Sequence, residues 1–287
     1  MPRAREPGDH VPSARVPKSA RMKITLLGTG ASAGVPMIGG ADGTGDWGVC
    51  DPTEPRNQRT RSSIVIESQF SQRLLIDTSP DMRSQFIASR VPGADAVLFT
   101  HAHADHITGI DDVRILNRIA NRPLEAFATQ DTLDEITLRF AYVFAPWDGR
   151  SFYRPVLTGK PVAPGETIRV AGLDVHLFRQ NHGRVETLGI RIGAFGYSTD
   201  VLRLDEDALT ALTGIDTWVV GCFLRQGPHW THADLPTVLG WVERLRPRRT
   251  ILTHMGTDMD WAWLRSHLPP GVEAGYDGMV VEMADGG

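Results

Sequence analysis

Three histidines and an aspartate lie within six residues, directly after a short apolar run. The run, residues 96–99, reads as a buried strand, and His101, His103, Asp105 and His106 follow it. Because side chains two apart on an extended chain leave on the same face, His101 and His103 can converge on one cation. Asp105 and His106 come after the chain turns and can point at an adjacent position. Four such ligands are hard to fit around one tetrahedral ion but suit two neighbouring ions.

The size and composition of the chain are those of a globular protein with a large core. Of its 287 residues, 41% are hydrophobic and 22% are charged. Neither a long apolar run nor a signal-peptide segment is present, so we expect a cytoplasmic protein without membrane contact. The net charge of -4 gives no global basic field for nucleic acid. Cys50 and Cys222 are expected to be free thiols in a reducing compartment.

The order of strand and helix signals predicts one α/β domain over residues 22–287. Residues 1–21, rich in Pro, Arg and Ala, are expected to be a disordered leader. Strands are predicted at 22–27, 62–67, 73–77, 96–100, 124–128, 167–170, 173–178, 187–192, 195–198, 217–221, 250–253 and 279–282. Helices are predicted after Ser79-Pro80 and at 111–118, 131–143, 205–212 and 234–245. Two runs that each begin in strands favour two sheets packed face to face, with helices outside in a four-layer arrangement.

A glycine-rich segment follows the first predicted strand. Gly28, Gly30 and Gly34 suggest a dinucleotide-binding loop, but that fingerprint needs a helix to begin at the loop, so that its N-terminus meets the pyrophosphate. Pro36 and further glycines follow instead. The sequence therefore predicts a long, turn-rich loop that approaches a site.

Further metal ligands are available at the ends of other predicted strands. His182, Asp200 and His254 each follow a strand, at the end where loops gather into a site. His176 lies inside an alternating strand and is better explained as a sheet histidine. His10 and His267 have no supporting context and are expected to be solvent-facing or disordered.

The cluster and its distant partners resemble the signature of the metallo-β-lactamase superfamily, which is HxHxDH followed by a distant His, an Asp and a final His. The resemblance covers residues 22–282 and implies the four-layer αββα fold with two mixed sheets. It also implies two divalent ions per chain, with Asp200 bridging them. The ligands it implies are His101, His103 and His182 for the first ion and Asp105, His106 and His254 for the second. Imidazole favours zinc, while bridged, oxygen-rich sites also accept manganese.

Three further segments are most similar to the PhnP-type phosphodiesterases within that superfamily. They are residues 26–36 (LLGTGASAGVP), 56–63 (RNQRTRSS) and 230–235 (WTHADL). This subgroup is similar to phosphoribosyl cyclic phosphate phosphodiesterases and, more distantly, to transfer-RNA 3′-processing endonucleases. PhnP itself carries a cysteine cluster with a structural zinc near its start, where this chain has Cys50 alone, so the sequence gives no support for a third metal.

The predicted ligand set suits the hydrolysis of an anionic ester. Two divalent ions, offset by Asp105, Asp200 and a bridging hydroxide, leave a net charge of about plus one, which suits a phosphodiester. Bound metal lowers the pKa of water towards about 7, and Asp105 can orient the resulting nucleophile. We expect His232 to protonate the leaving alkoxide or contact the phosphate, oriented by Asp234. The alternative is that His232 only packs at a helix start.

Basic residues near the start of the chain are expected substrate contacts. Arg59 and Arg61, with Arg56, form a basic run that can bind a second phosphate or a nucleotide, although such runs are more often solvated surface. His229 is a weaker substitute for His232.

These features predict a metal-dependent phosphodiesterase acting on a small cyclic phosphate or a nucleotide-like ester. RNA 3′ processing is disfavoured by the acidic charge and the lack of a long basic insertion. A lactam hydrolase would be expected to carry an export signal, which is missing here, so this function is disfavoured. A glyoxalase-type thioesterase would be expected to add a helical domain, for which only about thirty residues follow His254. A non-catalytic metal-binding or cofactor-biosynthesis accessory protein stays open. We expect a small phosphorylated partner and no nucleic acid, and a homodimer stays open.

Overall fold

The computed structural model describes residues 21–284, and its first sheet contains seven strands. They are β1 (Arg21–Gly28), β2 (Ser63–Glu67), β3 (Arg73–Ile76), β4 (Ala96–Leu98), β5 (Leu124–Ala128), β6 (Leu157–Pro161) and β14 (Val280–Ala284). β1 lies between β14 and β2 and is antiparallel to both, whereas β3 to β6 run parallel. This sheet is therefore mixed.

The second sheet also contains seven strands and is also mixed. They are β7 (Thr167–Val170), β8 (Leu173–His182), β9 (Val185–Ile192), β10 (Phe195–Ser198), β11 (Thr217–Gly221), β12 (Arg249–Thr253) and β13 (Val272–Ala274). β7 to β10 are antiparallel neighbours, and β10 to β13 run parallel.

Helices cover the outer face of each sheet. The helices that pack on the first sheet are α1 (Met82–Ala88), α2 (Ala104–Ile107), α3 (Val113–Ala120), α4 (Gln130–Arg139) and α5 (Ala141–Phe144). Those that pack on the second sheet are α6 (Glu206–Ala211), α7 (Leu235–Leu245) and α8 (Trp261–His267). One apolar core lies between the sheets, where Leu26, Leu98 and Val175 are buried. A second core lies between the first sheet and its helices, and a third between the second sheet and its helices. The predicted four-layer α/β fold is confirmed. None of the helices in residues 21–284 has the length and apolar character needed to cross a bilayer.

Several predicted boundaries were wrong. Arg21, assigned to the leader, is the first residue of β1, and the rest of that leader lies outside the described residues. The first helix begins at Met82 and not at Ser79-Pro80, because the Ser79 hydroxyl is taken up by the Asp81 N–H and the Gln85 side chain. The helix predicted at 131–143 is interrupted at Phe140. A 3₁₀ turn, Thr108–Asp112, replaces the start of the helix predicted at 111–118.

The strand directions bring several strand ends to one edge of the molecule. β8 is antiparallel to β9, and β9 to β10, so β8 and β10 point the same way as β11 and β12. The two sheets meet at this edge, where the N–H of Leu188 on β9 donates to the carbonyl of Thr100 after β4, at 3.1 Å. Side chains that follow β4, β8, β10 and β12 therefore converge there.

Candidate metal centre

Seven side chains form two adjacent groups at this edge. Within each group the candidate ligand atoms lie within 4.8 Å of one another. The first group is His101, His103, His182 and Asp200, and the second is Asp105, His106, Asp200 and His254. Asp200 belongs to both groups. The structure thus brings together all seven residues that the sequence proposed as ligands.

The local chain path explains how the HxHxDH segment reaches both groups. His101 lies three positions after the last residue of β4 and is 2% exposed. His103 is the N-cap residue of α2, and this short helix carries Asp105 and His106 back towards the second group. Nε2 of His182, the last residue of β8, lies 3.3 Å from Nδ1 of His103. One turn of helix therefore divides the four neighbouring side chains between two positions.

Asp200 and His254 both have a left-handed backbone. Their φ angles are 47° and 53°, which is uncommon outside glycine and is tolerated best by Asn, Asp and His. Each residue follows its strand by one or two positions. The reversal turns each side chain into the site, so local strain is concentrated where the ligand groups meet.

Buried polar atoms at the site lack partners among the described residues. His101 Nε2, Asp105 Oδ2, His106 Nε2 and both ring nitrogens of His254 make no hydrogen bond. His106 Nε2 lies only 3.0 Å from Asp200 Oδ2, but this approach lacks the direction of a hydrogen bond. An unsatisfied buried polar atom costs about 1–3 kcal/mol. Coordinated divalent cations would satisfy one of these atoms on each residue, so the imidazole and carboxylate set fits metal ions.

The outward nitrogens of three histidines are held by second partners. Nδ1 of His106 donates to Asp77 Oδ2 at 2.7 Å, and Nδ1 of His182 donates to the Thr231 carbonyl at 2.7 Å. Nδ1 of His101 lies 3.0 Å from the Thr100 hydroxyl. These contacts leave each Nε2 for the site. Asp77 was missed in the sequence, although it also follows a strand end, β3, and the rule that found Asp200 would have selected it.

Burial and neighbouring charges shift the pKa values of these groups in opposite directions. Burial lowers the pKa of His106, but the carboxylates of Asp200, Asp77 and Asp105 raise it well above its usual range. Burial, reinforced by His106, holds the pKa of His101 well below its usual range. Burial raises the pKa of Asp200, but His254 and His106 hold it well below its usual value. The site thus concentrates carboxylate charge where cations would compete with protons.

His232 lies at the rim of the two groups. Its ring stacks on His254 at a centroid distance of 4.8 Å, and its Nδ1 lies 4.0 Å from Asp200 Oδ1. Burial, followed by the charge of His254, lowers the pKa of His232 to about 3, so its imidazole is neutral before an anion arrives. The prediction that Asp234 orients His232 was wrong, because Asp234 instead caps α7 through Thr237 and accepts the Gly227 N–H.

The basic run and His229 are placed differently from one another. The prediction of a substrate contact from Arg59 does not fit, because Arg59 is 1% exposed and donates to the Met259 carbonyl at 2.7 Å. Arg61 is half-buried and pairs with Asp81 at 3.0 Å. The ring of His229 lies 5.2 Å from that of His232 and packs on Phe223. His229 is therefore beside the site, while Arg59 belongs to the interior.

The sequence that builds this site matches a family model. Residues 72–255 match a model described as a Beta-lactamase superfamily domain. The chain belongs to the metallo-β-lactamase superfamily. A solved structure described as a new diphosphatase from the PhnP family superposes with a TM-score of 0.82 at 30% identity, over 92% of this chain and 97% of that one. Within the superfamily, the chain is therefore PhnP-like, as the sequence predicted.

Other relatives carry different names. An octanoyltransferase from Porphyromonas gingivalis is 32% identical over 263 residues, which are 90% of this chain and 51% of the relative. The chain thus spans about half the length of that relative. A coenzyme PQQ synthesis protein B from Cupriavidus necator is 26% identical over 91% of this chain and 99% of the relative. The zinc-bound PqqB structure from Methylobacterium extorquens, 19% identical with a TM-score of 0.70 over 91% of this chain and all of that one, shares the fold.

Proposed function

We propose that this metal-dependent hydrolase uses two divalent ions, Zn²⁺ or Mn²⁺, to cleave a phosphodiester in a small cyclic phosphate or nucleotide-like ester. The observation that carries the proposal is the position of the Asp200 carboxylate. Its Oδ1 faces the first group, 3.6 Å from His182 Nε2, and its Oδ2 faces the second, 3.0 Å from His106 Nε2. A carboxylate that offers one oxygen to each group supports a bridged pair of ions.

The charge of such a site favours an anionic substrate. When bound, two divalent ions supply Lewis acidity and lower the pKa of water towards about 7. Asp105 and Asp200 offset only part of their charge, so excess positive charge stays for a phosphodiester. The similarity to the PhnP-family diphosphatase also supports a phosphoric ester.

The chain's own residues would orient the reaction and move a proton. Asp105 is 9% exposed and belongs to the second group, so one of its carboxylate oxygens can bind metal while the other holds a water molecule in position. His232 faces Asp200 from the rim of the site. An anionic substrate beside its ring would raise the pKa of His232, so that it can pass a proton to the leaving oxygen.

A second candidate is a cofactor-biosynthesis accessory protein that binds metal without turnover. The observation in its favour is the similarity to coenzyme PQQ synthesis protein B over most of both chains. The same ligand set would serve both functions, so the two differ only in catalysis.

The test compares three substrates on protein loaded with Zn²⁺ or Mn²⁺. We expect hydrolysis of bis(p-nitrophenyl) phosphate, and not of an acyl-glutathione thioester or nitrocefin. Asp200→Ala should abolish activity and metal binding, and His232→Ala should lower kcat by about 10²–10⁴-fold with metal content unchanged. His176→Ala is the control, since His176 lies on β8 and contacts Thr167.

Each other outcome changes the assignment. Loss of activity with Asp200→Ala but not with His232→Ala would remove His232 from the mechanism. Thioesterase activity without phosphodiesterase activity would overturn the proposal. Metal binding without hydrolysis of any phosphodiester would favour the accessory function.

A further inference from the structure

A cavity of about 630 Å³ opens beside the first ligand group. His103 and His182 form its inner wall, and the turn after β8, the segment after β10 and the loop before α7 form its rim. A volume of this size is in the range of small-molecule sites. The part of a substrate that does not react would therefore lie here while its phosphodiester lies at the candidate metal centre.

Two arginines on the rim have no acidic partner in the part of the chain that the structure describes. Arg184 lies in the turn after β8 and Arg203 in the segment after β10, and both are exposed. The two segments are joined, because the Asn181 N–H donates to the Arg203 carbonyl and the Leu202 N–H to the Asn181 carbonyl. Across residues 21–284 neither guanidinium makes an ion pair, and no Asp or Glu lines the cavity. Unpaired guanidinium groups beside a cavity provide a site for a phosphate.

The third feature is an indole ring held at the cavity mouth. Trp230 is 90% exposed, which is unusual for so large an aromatic side chain. Its backbone is nevertheless fixed, because the next residue, Thr231, accepts the Nδ1 hydrogen bond of His182. Gly183 also lies so close that a Cβ there would be 2.6 Å from the Trp230 carbonyl. An exposed ring on a fixed backbone is a surface on which a nucleobase can stack.

We propose that this cavity binds a nucleotide moiety of the substrate, with Arg184 and Arg203 on a second phosphate and Trp230 against the base. The proposal rests on the proposed phosphodiesterase function and extends its substrate to the P–O–P anhydride of dinucleoside diphosphates, in preference to cyclic monophosphates. In the reaction, water forms the new bond to phosphorus and the P–O bond to the bridging oxygen breaks. The leaving phosphate keeps that oxygen with its electron pair and takes a proton from His232, and the proton released by the attacking water restores His232.

The experiment uses three substrates on the metal-loaded protein. Bis(p-nitrophenyl) phosphate has neither base nor second phosphate, thymidine 5′-p-nitrophenyl phosphate has only the base, and diadenosine diphosphate has both. The Arg184→Ala/Arg203→Ala double variant should lower kcat/KM for diadenosine diphosphate by about 100-fold, mainly through KM, because each charge-assisted hydrogen bond contributes about tenfold or more. It should change bis(p-nitrophenyl) phosphate hydrolysis by no more than about twofold.

Trp230 is tested separately. Trp230→Ala should lower kcat/KM for both nucleotide substrates by about tenfold, and Trp230→Phe should retain most of the activity because a ring remains. For the double arginine variant, Arg179→Ala is the matched control. Arg179 is an exposed arginine of the same hairpin that pairs with Glu186 and does not line the cavity.

A binding measurement gives a second readout. By calorimetry, ADP should bind the metal-loaded protein at least about tenfold more tightly than AMP, and the double arginine variant should remove that difference. If the double arginine variant lost activity equally on all three substrates, or showed no selective loss on diadenosine diphosphate, the nucleotide site would be overturned while the proposed function would stand. Failure of the wild type to hydrolyse even bis(p-nitrophenyl) phosphate would instead contradict the proposed function.

Discussion

Asp77 Oδ2 accepts the Nδ1 hydrogen bond of His106 at 2.7 Å, while Oδ1 of the same carboxylate accepts the Thr100 N–H at 2.7 Å. One buried carboxylate thus fixes both the ring of a candidate ligand and the strand end that carries His101. Partners of this kind orient metal ligands and make them more basic.

Replacement of Asp77 should therefore weaken metal binding although Asp77 is not a ligand. We expect Asp77→Asn to lower metal affinity by about 10–100-fold, because an amide orients and polarises the imidazole less well. Metal retained in buffers of graded chelator strength measures this. Asp174→Asn, an exposed position on β8, is the control, and equal retention in both variants would contradict the role of Asp77.

Arg59 is expected to stabilise the fold and not to bind substrate. Its guanidinium donates to the Met259 carbonyl, and its neighbour Asn57 bonds Asp260 at the start of α8. Arg59→Met should lower the free energy of unfolding by about 2 kcal/mol or more, because a buried carbonyl loses its donor. Arg61→Met, which removes only a partly exposed ion pair, should cost less than about 1 kcal/mol. Urea unfolding compares the two, and a stable Arg59→Met protein with a raised KM would restore the substrate contact.

The sequence predicted which side chains gather at the candidate metal centre, because that arrangement depends on local spacing and strand ends. His101, His103, Asp105 and His106 share one segment, and its spacing alone divides them into two positions. His182, Asp200 and His254 could be proposed because loops that follow strands gather at one edge. Alternation and strand order also predicted the two-sheet fold.

The errors concern side chains whose roles depend on distant contacts. Arg59 lies in a run of arginines, and nothing local distinguishes a buried guanidinium from a solvated one. Asp234 is a different case, because its capping partner Thr237 lies only three residues away and could have been recognised from the sequence. The rim arginines Arg184 and Arg203 are 19 positions apart in the sequence, and only the pairing at Asn181 shows that they face one cavity.

Gly183 is expected to be required for the position of the loop before α7. Its φ is +75°, and a Cβ would lie 2.6 Å from the Trp230 carbonyl. Gly183→Ala should displace this loop and weaken the His182–Thr231 hydrogen bond, with a stability cost of about 1 kcal/mol or more. The rise in the activation free energy of hydrolysis, taken from kcat/KM, should exceed the loss in free energy of unfolding. Gly165→Ala, also at positive φ but with open space around it, controls for backbone strain, and equal effects of the two variants would contradict this role.

Asp277 should make stability depend on pH. Its two oxygens accept the backbone and hydroxyl hydrogens of Thr29 and Thr60, but burial raises its pKa from 3.8 to about 6. Because the folded state holds this proton more tightly, the stabilising contribution is complete below about pH 4 and is lost as the pH rises to about 6. The size of the effect is roughly 3 kcal/mol.

The Asp277→Asn variant isolates this contribution. It should be less stable than the wild type at every pH, because the amide nitrogen replaces one carboxylate oxygen and cannot accept the hydrogens of Thr29 or Thr60. Its free energy of unfolding should also vary less between about pH 4 and 6. Urea unfolding of the metal-free proteins across this range measures both effects, and parallel pH profiles would show that Asp277 does not titrate there.

The most direct test of the central claim is the number of metal ions bound per chain. Protein purified without chelator, supplied with Zn²⁺ or Mn²⁺ and separated from free metal, would be analysed by elemental mass spectrometry beside Asp200→Ala. The bridging position of Asp200 predicts two ions per chain in the wild type and a loss from both positions in the variant. One ion or none per wild-type chain would contradict the two-metal account.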